Sequence, residues 1–370
     1  MLKPTRRGLA VIACTMTVAL LGTACGSDDD ESSGDSSSGN SSSEGNAVID
    51  EATANVETLA NPEDFTVEPL SGPVPPGKVV AQVNCTIPQC TPGAMQEPVE
   101  ALGWTLESFD YDITKGTPDY LRAVDAALAS KPDYLAINVT GSPDLISRQL
   151  EQAQAEGIPV IASGAETAPG IALMVNGPNA FIDAGTNLAD VVLADAGEPV
   201  DVAMPFDPVY GVFVGMSQGM EDRLGEADAG FERIDVSLAQ PAATNVSAIV
   251  NYLKANPDTK YLAFAGTAFY PGIDQGLRAA GLSDSVKLVM GFPFPTDLES
   301  IQDGAWVGVV AGETTHQWRQ VDGMARLAVG DPIADPEPSN AFQLVTQENA
   351  SEERFDPPNY ADAFQEAWGV

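Results

Sequence analysis

"YLAINVTGSPDLISRQLEQAQAEGIPVIAS", residues 134–163, is the stretch that decides the fold. It opens on YLAINV (134–139) and closes on IPVIAS (158–163), two short apolar runs rich in Ile and Val. Such runs are the mark of strands in a sheet. Between them, Ser142-Pro143 offers a side-chain oxygen to cap a helix and a proline at its first position, where the missing N–H costs nothing. A strand, a capped helix and a second strand make one βαβ unit, which requires a parallel sheet.

Working outward, the same start signal recurs at Thr91-Pro92 and Thr117-Pro118, each after a strand-like run: KVVAQV (78–83) and TLESFDY (105–111). A second series follows in VDVAMPF (200–206), RIDVSLA (233–239), YLAFAG (261–266), VKLVMGF (286–292) and WVGVVAG (306–312). Thr296 with Glu299 and Thr314 with Gln317 have the spacing of capping boxes, so helix starts are expected there. NAFIDAGTNLADVVLADAG (179–197) reads as a helix between the two series, with a change of lobe near Asn176 to Pro178. The fold class is therefore α/β, with two doubly wound parallel-sheet lobes. In such sheets ligands lie beyond the carboxyl ends of the strands, here facing a shared cleft.

The first residues carry Lys3, Arg6 and Arg7, then an apolar stretch to Leu21 and the small residues Gly22, Thr23 and Ala24 before Cys25. That is the pattern of an export signal, too short in its apolar part for a spanning helix. Gly26 to Asn46 is Ser, Gly, Asp, Glu and Asn without a large apolar residue, which reads as a solvated tether. The expected organisation is a signal over 1–24, a tether over 25–46 and an extension over 47–76. A first lobe follows from 77–177 and 313–345, and a second from 178–312 and 346–370. The C-terminal NYADAFQEAW is expected as an amphipathic helix docked on the second lobe.

The formal net charge is −36, from 53 acids and 17 Lys and Arg. A surface this acidic repels nucleic acid, whose binding rests on Lys and Arg. Cys85 and Cys90 are a close pair, which in an exported chain reads as a disulfide, with free thiols the alternative. With His316 the only histidine and no second cysteine pair after the signal, no metal site and no cofactor are expected.

The order of elements, the export start and the phrases EALGWTLESFDYD (100–112), ALASKPDYLAINV (127–139) and AEGIPVIASGAE (155–166) together resemble the type I periplasmic substrate-binding proteins of ABC importers, the ribose- and galactose-binding branch. Cys25 resembles the lipidated cysteine of bacterial lipoproteins, although Gly22 stands where Leu is usual. The resemblance implies two Rossmann-like lobes joined by a hinge, a monomer anchored by lipid on the outer face of the cell membrane, a small-molecule ligand enclosed between lobes, and delivery to ABC permease subunits. It implies no catalysis and no nucleic-acid partner.

Family ligand contacts follow the strand ends. Carried over, they fall on Asn84 and Thr86, on Asn138, and on Ser163, Gly164 and Glu166, where sugar binders commonly hold an Asp-Arg pair. In the second lobe they fall on Phe206 and Tyr210, Thr267 and Phe269, Phe292 and Phe294, then Glu313 and His316, with Gln317 beside them. Asn84 and Asn138 read equally as turn polars, the aromatics equally as core, and His316 equally as a structural polar. No Lys or Arg lies on these loops, so the expected solute is neutral, or cationic, with hydroxyls or a ring. Two other readings use the same residues. GMSQG (215–219) matches a nucleophile elbow, with Ser217, Asp297 or Asp303, and His316 in α/β-hydrolase order. A sensor that presents its ligand to a membrane kinase would look the same as an importer subunit.

Overall fold

The computed structural model describes residues 41–86, 90–112, 115–139, 142–164, 166–266, 270–350 and 355–370. The export signal, Cys25 and most of the expected tether lie outside them, as do Thr267 and Phe269.

The first sheet contains β1 (Val79–Cys85), β2 (Thr105–Tyr111), β3 (Tyr134–Val139), β4 (Val160–Gly164) and β5 (Ile171–Val175), in the order β2-β1-β3-β4-β5. All its pairings are parallel. Side chains alternate between two apolar layers. Ala81, Val83, Leu135, Ile137 and Ala162 face α3 (Thr117–Ala129) and α4 (Ser147–Glu156). Val80, Ala136, Ile161 and Leu173 face α2 (Gln96–Ala101), α10 (Gln317–Val329) and α11 (Tyr360–Trp368). Burial on both faces explains why β3 and β4 read as near-continuous apolar runs, whereas the edge strand β2 is largely exposed.

The second sheet repeats the topology with β6 (Asp201–Phe206), β7 (Gly230–Asp235), β8 (Thr259–Phe264), β9 (Lys287–Gly291), β10 (Gly308–Ala311) and β11 (Gln343–Val345), in the order β7-β6-β8-β9-β10-β11. Only β11 runs antiparallel. Around it lie α5 (Pro178–Ala196), α6 (Gly211–Glu226), α7 (Ala242–Ala255), α8 (Ile273–Ala280) and α9 (Leu298–Gln302).

The helices α5 and α6 touch backbone to backbone. A Cβ on Gly185 would lie 2.1 Å from the Met216 carbonyl oxygen, and one on Gly219 would lie 2.0 Å from that of Ile182. Gly215 is similarly pressed on Phe181, its Cβ position 2.5 Å from that residue's Cβ. The two glycines of GMSQG are thus packing positions inside a helix. Ser217 is 1% exposed and its hydroxyl donates to the Val214 carbonyl oxygen, which leaves no strand-to-helix elbow for a nucleophile.

Three expectations about the ends of the chain are corrected. Residues 41–46 do not belong to a tether: α1 (Ser41–Ala60) is helical from Ser41 and buries Ile49, Ala52 and Leu59 in the core of the second sheet. The helix α11 packs on the first sheet's core rather than the second, because Trp318 of α10 stacks on Phe364 and Trp368 at 6.1 and 5.5 Å. Residues 343–345 belong with the second sheet rather than the first, since β11 covers the edge of β10.

After α1 the chain crosses to the first sheet. Phe65 stacks on Tyr360 at 4.7 Å and exchanges two hydrogen bonds with Asn359, and Leu70 N donates to Ala367 O at 3.0 Å. At the other end, Asn55 Nδ2 donates to Asn187 Oδ1 (2.9 Å) and to Asp190 Oδ2 (2.7 Å), the latter also paired with Arg223. Removing a donor from a buried carboxylate forfeits a charge-assisted bond. Asn55→Ala should therefore cost about 2 kcal/mol in urea unfolding, and a variant as stable as the parent would show that α1 is held by its apolar face alone.

Candidate functional site

Both sheets reverse strand order next to their first strand, between β1 and β3 and between β6 and β8. Such a switch point leaves a crevice at the carboxyl ends of the flanking strands. Asn84 and Asn138 stand at the first of these crevices. Asn84 is 4% exposed; it donates from Nδ2 to the Cys90 carbonyl oxygen (2.8 Å) and accepts from Asn138 Nδ2 (3.3 Å). Cys85 and Cys90 have Cα atoms 5.7 Å apart, in the range a disulfide spans.

The same residues open onto a small pocket lined by Gln82, Asn84, Asn138, Ser163, His316, Gln317 and Gln320, with the backbone neighbourhood of Ala136 and Ile137. It thus joins β1, β3 and β4 to the start of α10, and every polar group in it is neutral. Burial holds the His316 imidazole down to about 4, against a weaker pull upward from Asp356. Gln317 donates from Nε2 to Thr91 Oγ1 at 2.8 Å, which fastens α10 to the loop after the cysteine pair.

Of the residues expected here, Asn84, Asn138, Ser163 and His316 come together. Gly164 follows at the end of β4, while Thr86 and Glu166 are exposed on the loops beyond. In the second half, Phe292 packs edge-on between Phe181 (5.6 Å) and Phe342 (6.2 Å), and Phe206 lies under the Arg233 guanidinium at 5.4 Å. Tyr210 is 44% exposed, beside the still more exposed Val209; Phe294 is partly buried at the turn before Asp297. Gln82 and Gln320 escaped the sequence reading. A lone amide in the middle of the apolar run KVVAQV was the available signal for Gln82; Gln320 gives none, lying one turn inside an ordinary helix.

Glu313 has a different task. Its side chain is wholly buried, paired with Arg319 Nε and accepting from Ala341 N. Burial dominates and raises its carboxyl above the usual range, with Arg319 opposing. It sits where the chain crosses repeatedly between sheets, at 176–178, 312–316, 330–342 and between β11 and α11. Asn340 Nδ2 donates to Asn176 Oδ1 (3.0 Å), tying the first and third crossings. The Asp356 carboxylate accepts from both amides and both hydroxyls of Thr314 and Thr315, tying the second and fourth.

Residues 93–330 match the family model described as a periplasmic binding protein domain, and the chain belongs to that family. Sequence comparison with curated proteins finds no match. Among solved structures, a periplasmic ribose ABC transporter protein from Conexibacter woesei DSM 14684 aligns with a TM-score of 0.64 at 18% identity, covering 76% of this chain and 95% of that one. The periplasmic binding component of the arabinose ABC transporter from Shewanella sp. ANA-3, with bound arabinofuranose, gives 0.62 at 15% identity over 79% and 97%. An ABC sugar transporter subunit from Rhodobacter sphaeroides 2.4.1 gives 0.61 at 20% identity over 74% and 99%. At these identities the likeness is one of fold.

Proposed function

We propose that this chain is an extracytoplasmic solute-binding protein that captures a neutral sugar or polyol between its two sheet-based lobes and delivers it to an ABC import permease. The observation that carries the reading is the cluster at the switch point of the first sheet, where Asn84, Asn138, Ser163 and His316 meet with no charged side chain among them. Neutral donors and acceptors suit hydroxyls, and no Lys or Arg lines the pocket to pair with an anion. The second lobe offers Tyr210, Phe292 and Phe294, on whose rings the apolar face of a sugar can rest, with Phe206 at the end of β6 and Thr267 and Phe269 following β8 in sequence, while Thr86, Gly164 and Glu166 lie at the ends of β1 and β4 in the first lobe. The periplasmic ribose ABC transporter protein and the arabinofuranose-bound binding component named above support the class of solute.

In this reading Cys25 carries the lipid that keeps the monomer at the outer face of the membrane, and Cys85 and Cys90 form a disulfide. Mass measurement after alkylation without reductant tests the bridge: two labelled thiols would exclude it. Titration calorimetry against arabinose, ribose, fucose, glycerol, a dicarboxylate and a phosphate ester tests the solute. Binding confined to the sugars and polyols is the expected outcome, and binding confined to the anions would overturn the proposal.

A further inference from the structure

The pocket behind the switch point contains more hydrogen-bonding capacity than the protein uses. Gln82, Ser163 and Gln320 are 6, 4 and 3% exposed, and none of their side chains has a hydrogen-bond partner in the described structure. Gln317, 2% exposed, spends Nε2 on Thr91 but leaves Oε1 buried and unpartnered. Turning that amide over only exchanges the atoms, so one half of its head remains unmet either way. The His316 ring lines the same space, also without a side-chain partner. A buried acceptor left unmatched is rare in folded proteins, and Gln317 Oε1, with the polar heads of Gln82, Ser163, His316 and Gln320 lining the same pocket, points to an occupant.

Size and charge say what it is. The free space is about 10 Å³, room for about one water molecule and far short of a sugar ring. Amides, a hydroxyl and a neutral imidazole each serve a group that both donates and accepts. No carboxylate lines the pocket to hold a cation, and no Lys or Arg lines it to hold an anion.

We infer that Gln82, Ser163, His316, Gln317 and Gln320 form a subsite for a single hydroxyl group, filled by one internal water or by one hydroxyl of the bound solute. Because Gln317 and Gln320 ride on α10, which follows directly from the crossing at 312–316, the occupant joins the crossing segment to the ends of β1, β3 and β4. Its assignment to the solute rests on the transport reading; its assignment to water does not.

A ligand-free crystal diffracting to about 1.5 Å tests the subsite without reference to transport. One ordered water within hydrogen-bonding distance of at least three of the five heads is expected. An empty pocket, an ion, or heads turned to bond one another would overturn the inference. A second crystal, grown with whichever of arabinose, ribose, fucose or glycerol binds, distinguishes the two sources, since either the water stays or a solute hydroxyl replaces it. Gln320→Leu supplies the matching readout. If the hydroxyl belongs to the solute, affinity falls about tenfold, the worth of one buried hydrogen bond. If it belongs to water, affinity holds within about twofold while the water disappears from the variant's density. A Gln320→Leu protein that folds, keeps the water and keeps its affinity would sink the proposal.

Discussion

Gly219→Ala is expected to destabilise the protein by about 3 kcal/mol or more, at the upper end of what overpacking costs. The added methyl would fall 2.0 Å from the Ile182 carbonyl oxygen and 2.8 Å from Thr186 N, both backbone atoms of α5 that no rotamer change can move. Relief would require α5 and α6 to separate, and that contact is seated on the core of the second sheet through Ala184, Leu188, Phe213 and Met216. Gly225→Ala in the same helix is the control. Nothing lies within 4 Å of its Cβ position, so the ordinary helix preference for alanine should make it neutral or stabilising by about 0.5–1 kcal/mol. Urea unfolding of the two variants side by side tests the claim, which fails if both unfold with the parent.

Arg319→Met should cost about 3–5 kcal/mol at neutral pH, the penalty of leaving one partner of a buried pair uncompensated. Glu313 would then be a buried carboxylate whose opposing cation has gone, so its folded-state pKa, already raised by burial, moves further up. The folded protein then holds a proton that the unfolded chain releases near its ordinary value of about 4.3. Folding stability consequently falls as pH rises above that value and is recovered as pH falls toward it. Unfolding measured from pH 4.5 to 8 should show the deficit of Arg319→Met widening with pH relative to the parent. A deficit that does not change with pH would mean that Glu313 is ionised and satisfied without its arginine, and that the lost packing of Arg319 over Phe65, 5.1 Å from guanidinium to ring, is the whole effect.

Where the chain's own apolar pattern decided structure, the sequence was a sufficient guide. TLESFDY and YLAINV are β2 and β3 to the residue, and the helix read over 179–197 is α5. The family resemblance rests on that ordered series, and the match over 93–330 agrees with it. Distant partners decided the rest. Thr91 does not cap a helix: it takes a φ of +44°, its hydroxyl accepts from Gln317, and α2 begins only at Gln96. The expected box of Thr314 with Gln317 does not form, because Thr314 bonds Asp356 instead, 42 residues on. Thr296 likewise lies in a short 3-10 turn, and Asp297 takes the Phe294 amide. The strands β5 and β11 went unread, and each lies at a sheet edge, received by β4 and β10 respectively.

The candidate site divides in the same way. Residue type and strand-end position were enough to point at Asn84, Asn138, Ser163 and His316. Nothing local marks Gln320 as their neighbour, since α10 reaches the first sheet only after the chain has completed most of the second. Glu313 looked available for a ligand because its partners, Arg319 and Ala341, become neighbours only through the crossings.

The segment before β1 bears on how far the two halves can swing. One end of it is seated on the second core through Ile49, Ala52 and Leu59, the other on the first through Phe65, Leu70 and the Trp104 indole, which donates to the Pro75 carbonyl oxygen at 2.8 Å. Residues 61–64 alone span the gap, and four residues at full stretch reach about 14 Å. They act as a check-strap at the spine of the molecule: a gape wider than that length at this edge must first tear loose a helix or an aromatic stack.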